Sequence, residues 1–210
     1  MKYYSTNKQA PEATLEEAVV KGLAADKGLF MPFTIKPLPQ EFYDSIDTLS
    51  FQEIAYRVAD AFFGEDVPAD TLKQIVYDTL SFDVPLVRVT ENIYSLELFH
   101  GPTLAFKDVG GRFMARLLGY FIKKEGKKQV NVLVATSGDT GSAVANGFLG
   151  VKVYTSMCSI RRARSVKSRR NSSLPWGRTS RPLRSMVRST IARLWLNPLL
   201  WTGNSTSTCN

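Results

Sequence analysis

The fold class can be read from residues 93–155, IYSLELFHGPTLAFKDVGGRFMARLLGYFIKKEGKKQVNVLVATSGDTGSAVANGFLGVKVYT. Three apolar segments are typical of strands: IYSLEL (93–98), VNVLVA (130–135) and the start of VKVYT (151–155). The segments 110–124 and 142–149, which lie between them, predict helices. This β-α-β-α-β order with short links predicts an α/β fold, with a parallel sheet and right-handed crossovers.

Two loops in this segment predict a ligand site. FHGPTLAFKDVGG (99–111) and TSGDTGS (136–142) each leave a predicted strand and open a predicted helix. In open α/β sheets ligands bind beyond the carboxyl ends of the strands, and a helix N-terminus favours anions. Gly138 and Gly141 would let the backbone approach a ligand closely. Taken singly, such Gly/Ser/Thr/Asp clusters are also typical of plain turns.

Lys107 is the candidate reactive group of the first loop. Its neighbours Leu104, Phe106 and Val109 are apolar, and it precedes a helix. Burial and the positive helix end both disfavour the ammonium form, and a neutral amine is what bond formation with a carbonyl carbon requires. The alternative interpretation is a loop lysine with its amine in water, followed by Asp108 as a plain helix cap.

The segment before this α/β part is predicted to be a helical domain over residues 1–83, with the α/β part at 84–153. Thr14 with Glu17, and Ser50 with Glu53, have the spacing of capping boxes at helix starts. Gly22 and Gly64 would end the two helices, and Pro68 fits the first turn of a third. The intervening GLFMPF and IKPLPQ segments are predicted loops.

The charge divides the chain unevenly. Residues 1–153 hold all 19 acidic residues and 16 of the 27 basic ones, for a net charge of −3. Residues 154–210 hold 11 bases and no acid, with no usable hydrophobic period. We expect this tail to be disordered and interpret it as out-of-frame translation. The alternative is a basic arm that binds nucleic acid or another polyanion.

Composition excludes several other classes of protein. An apolar content of 44% with 22% charged residues is globular, and no run of 18 apolar residues predicts a membrane span. The N-terminus lacks a secretory apolar region, and two cysteines make no disulfide scaffold, so we expect a cytoplasmic protein. A single histidine, His100, excludes a multi-histidine zinc centre, and no metal site is predicted.

The motifs HGPTLAFKDVG (100–110) and ATSGDTGSA (135–143) resemble those of threonine synthase, a pyridoxal-phosphate enzyme of fold type II. The segments YST (4–6) and KGLAADKGLFMP (21–32) are similar to the N-terminal domain of that family. The resemblance extends from residue 1 to about residue 154. It implies a helical N-terminal domain followed by an incomplete first βαβαβ unit of the pyridoxal-phosphate domain.

The resemblance also implies residue roles. Lys107 would carry the cofactor covalently and act as the catalytic base, with Asp139 also binding the cofactor. The substrate, O-phosphohomoserine, would be held by Ser137, Gly138, Thr140 and Gly141, and would react with water to give threonine and phosphate. His100 and Thr103 would shape the lysine loop, with packing and direct chemistry both open for His100. The groups that bind the cofactor phosphate and pyridine nitrogen in the family are missing, so we expect little or no turnover. The oligomeric state stays open.

Overall fold

The computed structural model describes residues 1–126, 130–136, 139–149, 151, 154–161 and 180–185. The chain forms two compact units. The first comprises Met1–Phe82 and Arg116–Gly126, and the second comprises Asp83–Ala115 and the described residues from Val130 onward.

The first unit contains a small antiparallel sheet that the sequence pattern did not predict. Strand β1 (Lys2–Ser5) lies between β2 (Ala13–Thr14) and β3 (Phe30–Pro32). The prediction that this domain is helical apart from loops was therefore incomplete, since β3 falls within the predicted GLFMPF loop. Strands of two to four residues are too short to show a period-2 pattern.

The Asp26 carboxylate organises the turn that leads into β3. It accepts hydrogen bonds from Ser5 Oγ at 2.6 Å and from the N–H groups of Gln9, Ala10 and Gly28 at 2.9–3.0 Å. The Ser5 hydroxyl and these three N–H groups favour the charged form and lower the pKa of Asp26 to about 2. One ionised side chain thus ties β1 to the turn that precedes β3.

Helices make up the rest of the first unit. They are α1 (Leu15–Lys21), α2 (Gln40–Asp44), a 3-10 turn (Ile46–Thr48), α3 (Phe51–Phe63) and α4 (Ala69–Thr79).

The capping box of Thr14 and Glu17 is confirmed, as are the helix ends at Gly22 and Gly64. At α3 only Ser50 accepts, from the Glu53 N–H, because the Glu53 carboxylate bonds Arg57 and Tyr77 instead. Pro68 lies one position before α4 rather than in its first turn.

The core of the first unit consists of apolar side chains from several of these elements. Those nearly or fully buried include Leu15, Phe42, Val67, Leu72, Val76, Leu117, Phe121 and Ile122. The last three lie on α5 (Lys107–Lys124), whose residues from Arg116 onward belong to this unit and whose earlier residues belong to the second. Among the described residues, no helix is long and apolar enough to cross a membrane.

The second unit begins with an antiparallel pair, β4 (Leu86–Arg88) and β5 (Tyr94–Leu96). We expected β5 to be the first strand of the parallel sheet, and this prediction was wrong. Val89 N–H donates to Ile93 O at 2.8 Å and closes the link between the two strands. Pairing across so short a loop costs little chain entropy, which favours the local partner over a distant one.

The predicted β-α-β unit is confirmed. Strand β6 (Val130–Thr136), helix α6 (Asp139–Gly147) and strand β7 (Tyr154–Arg161) follow in order, and β6 pairs parallel to β7 from Val130↔Tyr154 to Thr136↔Ile160. Both helices begin three residues earlier than predicted, at Lys107 and Asp139.

Two strands lie within residues 154–210, where disorder was predicted. They are β7 and β8 (Ser180–Ser185), which pairs parallel to β7. An open strand edge offers unpaired N–H and C=O groups to any extended segment, and this explains strands in a sequence without a hydrophobic period. Residues 162–179 and 186–210 lie outside the described residues. The out-of-frame interpretation stays a prediction. Sequencing the gene around the codons for Val153 to Cys158 would test it.

Candidate active site

Lys107 and Thr140 meet in the second unit. Lys107 is the first residue of α5, Thr140 is the second residue of α6, and the Lys107 Nζ donates to Thr140 Oγ1 at 2.6 Å. The two loops that the sequence singled out therefore bring an amine and a hydroxyl into direct contact, although 33 positions separate them.

Close packing of α5 on α6 accompanies this contact. A Cβ atom added at Gly147 would lie 2.6 Å from Gly111 O and 3.2 Å from Arg112 N, and one added at Gly111 would lie 3.3 Å from Ala143 O. The absence of a side chain at Gly147 is therefore required for this approach of the two helix backbones, and the fit at Gly111 is tight. Sequence reasoning missed both residues. The pattern that points to them is the presence of small residues on both helices.

Asp108 has a different role from the plain helix cap considered above. Its side chain is fully buried, and both of its carboxylate oxygens accept hydrogen bonds from Thr103. Oδ2 accepts from the Thr103 N–H at 2.8 Å, and Oδ1 accepts from the Thr103 hydroxyl at 2.6 Å. The carboxylate thereby closes the loop of residues 103–108, which carries Lys107.

The apolar enclosure predicted around Lys107 is not provided by its neighbours. Leu104 is 78% exposed and Phe106 is 62% exposed, and Lys107 itself is partly exposed. The Lys107 Nζ lies 5.8 Å from the centre of the Phe106 ring, within the range of a cation–π contact. In this structure the amine is accessible to a ligand from solvent.

The other residues assigned from the glycine loop are placed as follows. Asp139 opens α6, and Gly141 is buried in its first turn, so both lie at a helix end that favours anions. Ser137 and Gly138 lie outside the described residues. Among the described residues, no cluster of three or more His, Cys, Asp and Glu side chains has the arrangement of a metal site.

The contacts of His100 lie on its own loop. Its Nε2 is 2.6 Å from Glu97 Oε2, and its ring stacks on Phe99 with 4.8 Å between the ring centres. The side chain is 41% exposed. These contacts match the packing alternative considered for His100.

Comparison with known proteins identifies relatives. Residues 2–80 match the family model described as threonine synthase N terminus. The threonine synthase of Serratia marcescens is 41% identical over 152 residues, which cover 72% of this chain and 35% of that protein. The threonine synthase of Saccharomyces cerevisiae is 43% identical over 169 residues, covering 71% of this chain and 33% of the relative.

Solved structures agree with this relationship. A pyridoxal-phosphate-bound threonine synthase from Brucella melitensis superposes with a TM-score of 0.88 at 29% identity, covering 97% of this chain and 45% of that one. The Escherichia coli threonine synthase gives a TM-score of 0.83 at 30% identity, with 97% and 47% covered. The chain thus spans about a third of the length of the curated relatives that it matches. Residues 2–80 are thus similar to the N-terminal part of threonine synthases, and 72% of the chain is similar in sequence to the Serratia marcescens threonine synthase.

Proposed function

We propose that Lys107 and the first turn of α6 form the lysine-bearing part of a pyridoxal-phosphate site, in a protein of threonine synthase type. The reaction is the conversion of O-phosphohomoserine and water to threonine and phosphate. One observation supports this most directly: Lys107 Nζ lies 2.6 Å from Thr140 Oγ1, so the lysine motif and the glycine-loop motif face each other.

The described residues fit the cofactor. Lys107 offers an accessible primary amine for an aldehyde, and Thr140 offers a hydroxyl beside it. The N-terminus of α6 favours anionic groups. When bound, pyridoxal phosphate supplies an electron sink that stabilises negative charge at the substrate carbon next to the cofactor.

The chain's own residues then divide the remaining work. Lys107 would hold the cofactor before substrate binds, and once the substrate amine has displaced it, the freed Lys107 amine would take and return protons at Cα and Cβ of the substrate. Thr140 holds the Lys107 amine and, together with Ser137, Gly138 and Gly141, binds the substrate carboxylate. Asp139 would contribute to binding the cofactor.

We expect the 210-residue chain by itself to bind the cofactor weakly and to turn over little or no substrate. The chain spans 35% of the length of its Serratia marcescens relative. A turnover in the ordinary enzyme range, about 1–1000 per second, would contradict this expectation.

Covalent trapping tests the proposal. The chain is incubated with pyridoxal phosphate, its visible absorbance is recorded, the bond is reduced with borohydride, and the modified lysines are located by peptide mass spectrometry. We expect the modification to favour Lys107, and we expect Lys107→Ala to abolish the bound chromophore. The control variant Lys123→Ala, which changes a lysine in the last turn of the same helix, should retain the chromophore. Equal modification of all exposed lysines would refute the proposal.

The alternative function, polyanion binding by the basic tail, rests on the 11 bases and no acids of residues 154–210. It predicts DNA binding that weakens as salt rises and that disappears when residues 154–210 are deleted. Binding that survives the deletion would refute this alternative.

A further inference from the structure

Asp108 is a fully buried carboxylate one residue after the reactive lysine. Both of its oxygens accept hydrogen bonds from one residue, Thr103, at 2.8 Å from the N–H and 2.6 Å from the hydroxyl. Two donors converging on one buried carboxylate satisfy much of its hydrogen-bonding capacity, as burial of a charge requires.

The loop that these bonds close is strained. Leu104 has φ of 55°, in the left-handed region that a non-glycine residue rarely adopts. Its side chain is 78% exposed, so burial of Leu104 does not offset the strain. The Leu104 N–H donates to Gly101 O and the Asp108 N–H to Ala105 O, both at 3.0 Å, so the loop is tightly turned on each side of Leu104.

We propose that Asp108 is a positioning residue for Lys107: its carboxylate holds Thr103, keeps the strained turn closed and directs the lysine amine toward Thr140. This inference rests on the proposed function of Lys107 and adds the group that orients it. Asp108 acts through the backbone that carries Lys107, because its oxygens are engaged with Thr103 on the other side of the loop.

Two pairs of variants separate positioning from general stability. Asp108→Ala removes both bonds, whereas the amide of Asp108→Asn can accept from the Thr103 N–H and donate to its hydroxyl. Thr103→Val removes the hydrogen bond from the Thr103 hydroxyl to Asp108, whereas Thr103→Ser retains a hydroxyl that can make this bond. Thr103 is only partly buried, so its pair keeps the test decisive if Asp108→Ala fails to fold.

The readout is a ratio within one chain. Each variant is treated with pyridoxal phosphate and borohydride, and the modification of Lys107 is divided by that of Lys123. We expect Asp108→Ala and Thr103→Val to lower this ratio by about tenfold, consistent with loss of a hydrogen bond to a charged group. Asp108→Asn and Thr103→Ser should stay within about threefold of the unaltered chain.

The outcomes distinguish the two proposals. If the unaltered chain shows no preference for Lys107, the proposed function fails and the positioning role fails with it. If the unaltered chain prefers Lys107 but Thr103→Val keeps that preference, or Thr103→Ser loses it, the positioning role is refuted while the proposed function stands. If Thr103→Val loses the preference for Lys107 and Thr103→Ser keeps it, the positioning role is supported.

Discussion

Replacing Gly147 with alanine tests whether the α5–α6 contact maintains the arrangement of Lys107 and Thr140. The added Cβ would lie 2.6 Å from Gly111 O and 2.9 Å from Gly111 C. Both atoms belong to the helix backbone, so no side chain can rotate away to make room. The helices must separate locally or the last turn of α6 must distort.

The magnitude follows from this distance. An ordinary contact begins at 3.4 Å, so the two backbones must move apart by about 0.8 Å. Overpacking of this kind lowers the free energy of unfolding by about 1–3 kcal/mol. The higher helix propensity of alanine offsets less than about 1 kcal/mol of this loss, because Gly147 is the last residue of its helix. We therefore expect Gly147→Ala to lower the free energy of unfolding by about 0.5–2 kcal/mol.

Gly110→Ala is the matched control. Gly110 is an exposed residue of α5, and an added Cβ there meets nothing within 4 Å, so this change should raise the free energy of unfolding by about 0.5–1 kcal/mol. Urea denaturation followed by far-ultraviolet circular dichroism measures both variants. Gly147→Ala should also lower the modification of Lys107 by pyridoxal phosphate relative to Lys123, because the 2.6 Å contact with Thr140 is stretched. Equal stability and equal modification in the two variants would refute the reasoning.

Three further predictions concern the first unit. The lowered pKa of Asp26, about 2 against an ordinary 3.8, means that its contribution is complete above pH 3.8 and is lost as the pH falls toward 2. Thermal midpoints should therefore fall over that range, and Asp26→Asn, with a lower midpoint at neutral pH, should show a smaller fall. Thr14→Ala removes the capping box of α1 and should cost about 1 kcal/mol in urea denaturation, whereas Thr14→Ser should cost little. Leu72→Ala empties a fully buried position and should cost about 2–5 kcal/mol, and a loss below 1 kcal/mol would mean that the position is not in the core.

The sequence by itself determined the local features of this protein. The Thr14–Glu17 capping box, the helix ends at Gly22 and Gly64, and the separate segments β6 and α6 each depend on patterns within a few residues of one another. Such patterns act through hydrogen bonds and hydrophobic faces close along the chain, so they can be read without knowing the fold. The lysine and glycine-loop motifs were identified for the same reason.

Tertiary structure decided which of these features became neighbours. The sequence could not show that β5 pairs with β4, that Gly111 faces Gly147, or that the Asp108 carboxylate serves Thr103 rather than a helix N–H. Nor could it show that Leu104 and Phe106 stay exposed beside Lys107, since burial depends on what packs against a residue. The 2.6 Å contact between Lys107 and Thr140 joins the starts of two helices, α5 and α6, whose backbones also pack closely at Gly111 and Gly147, and such contacts between distant segments depend on the tertiary structure.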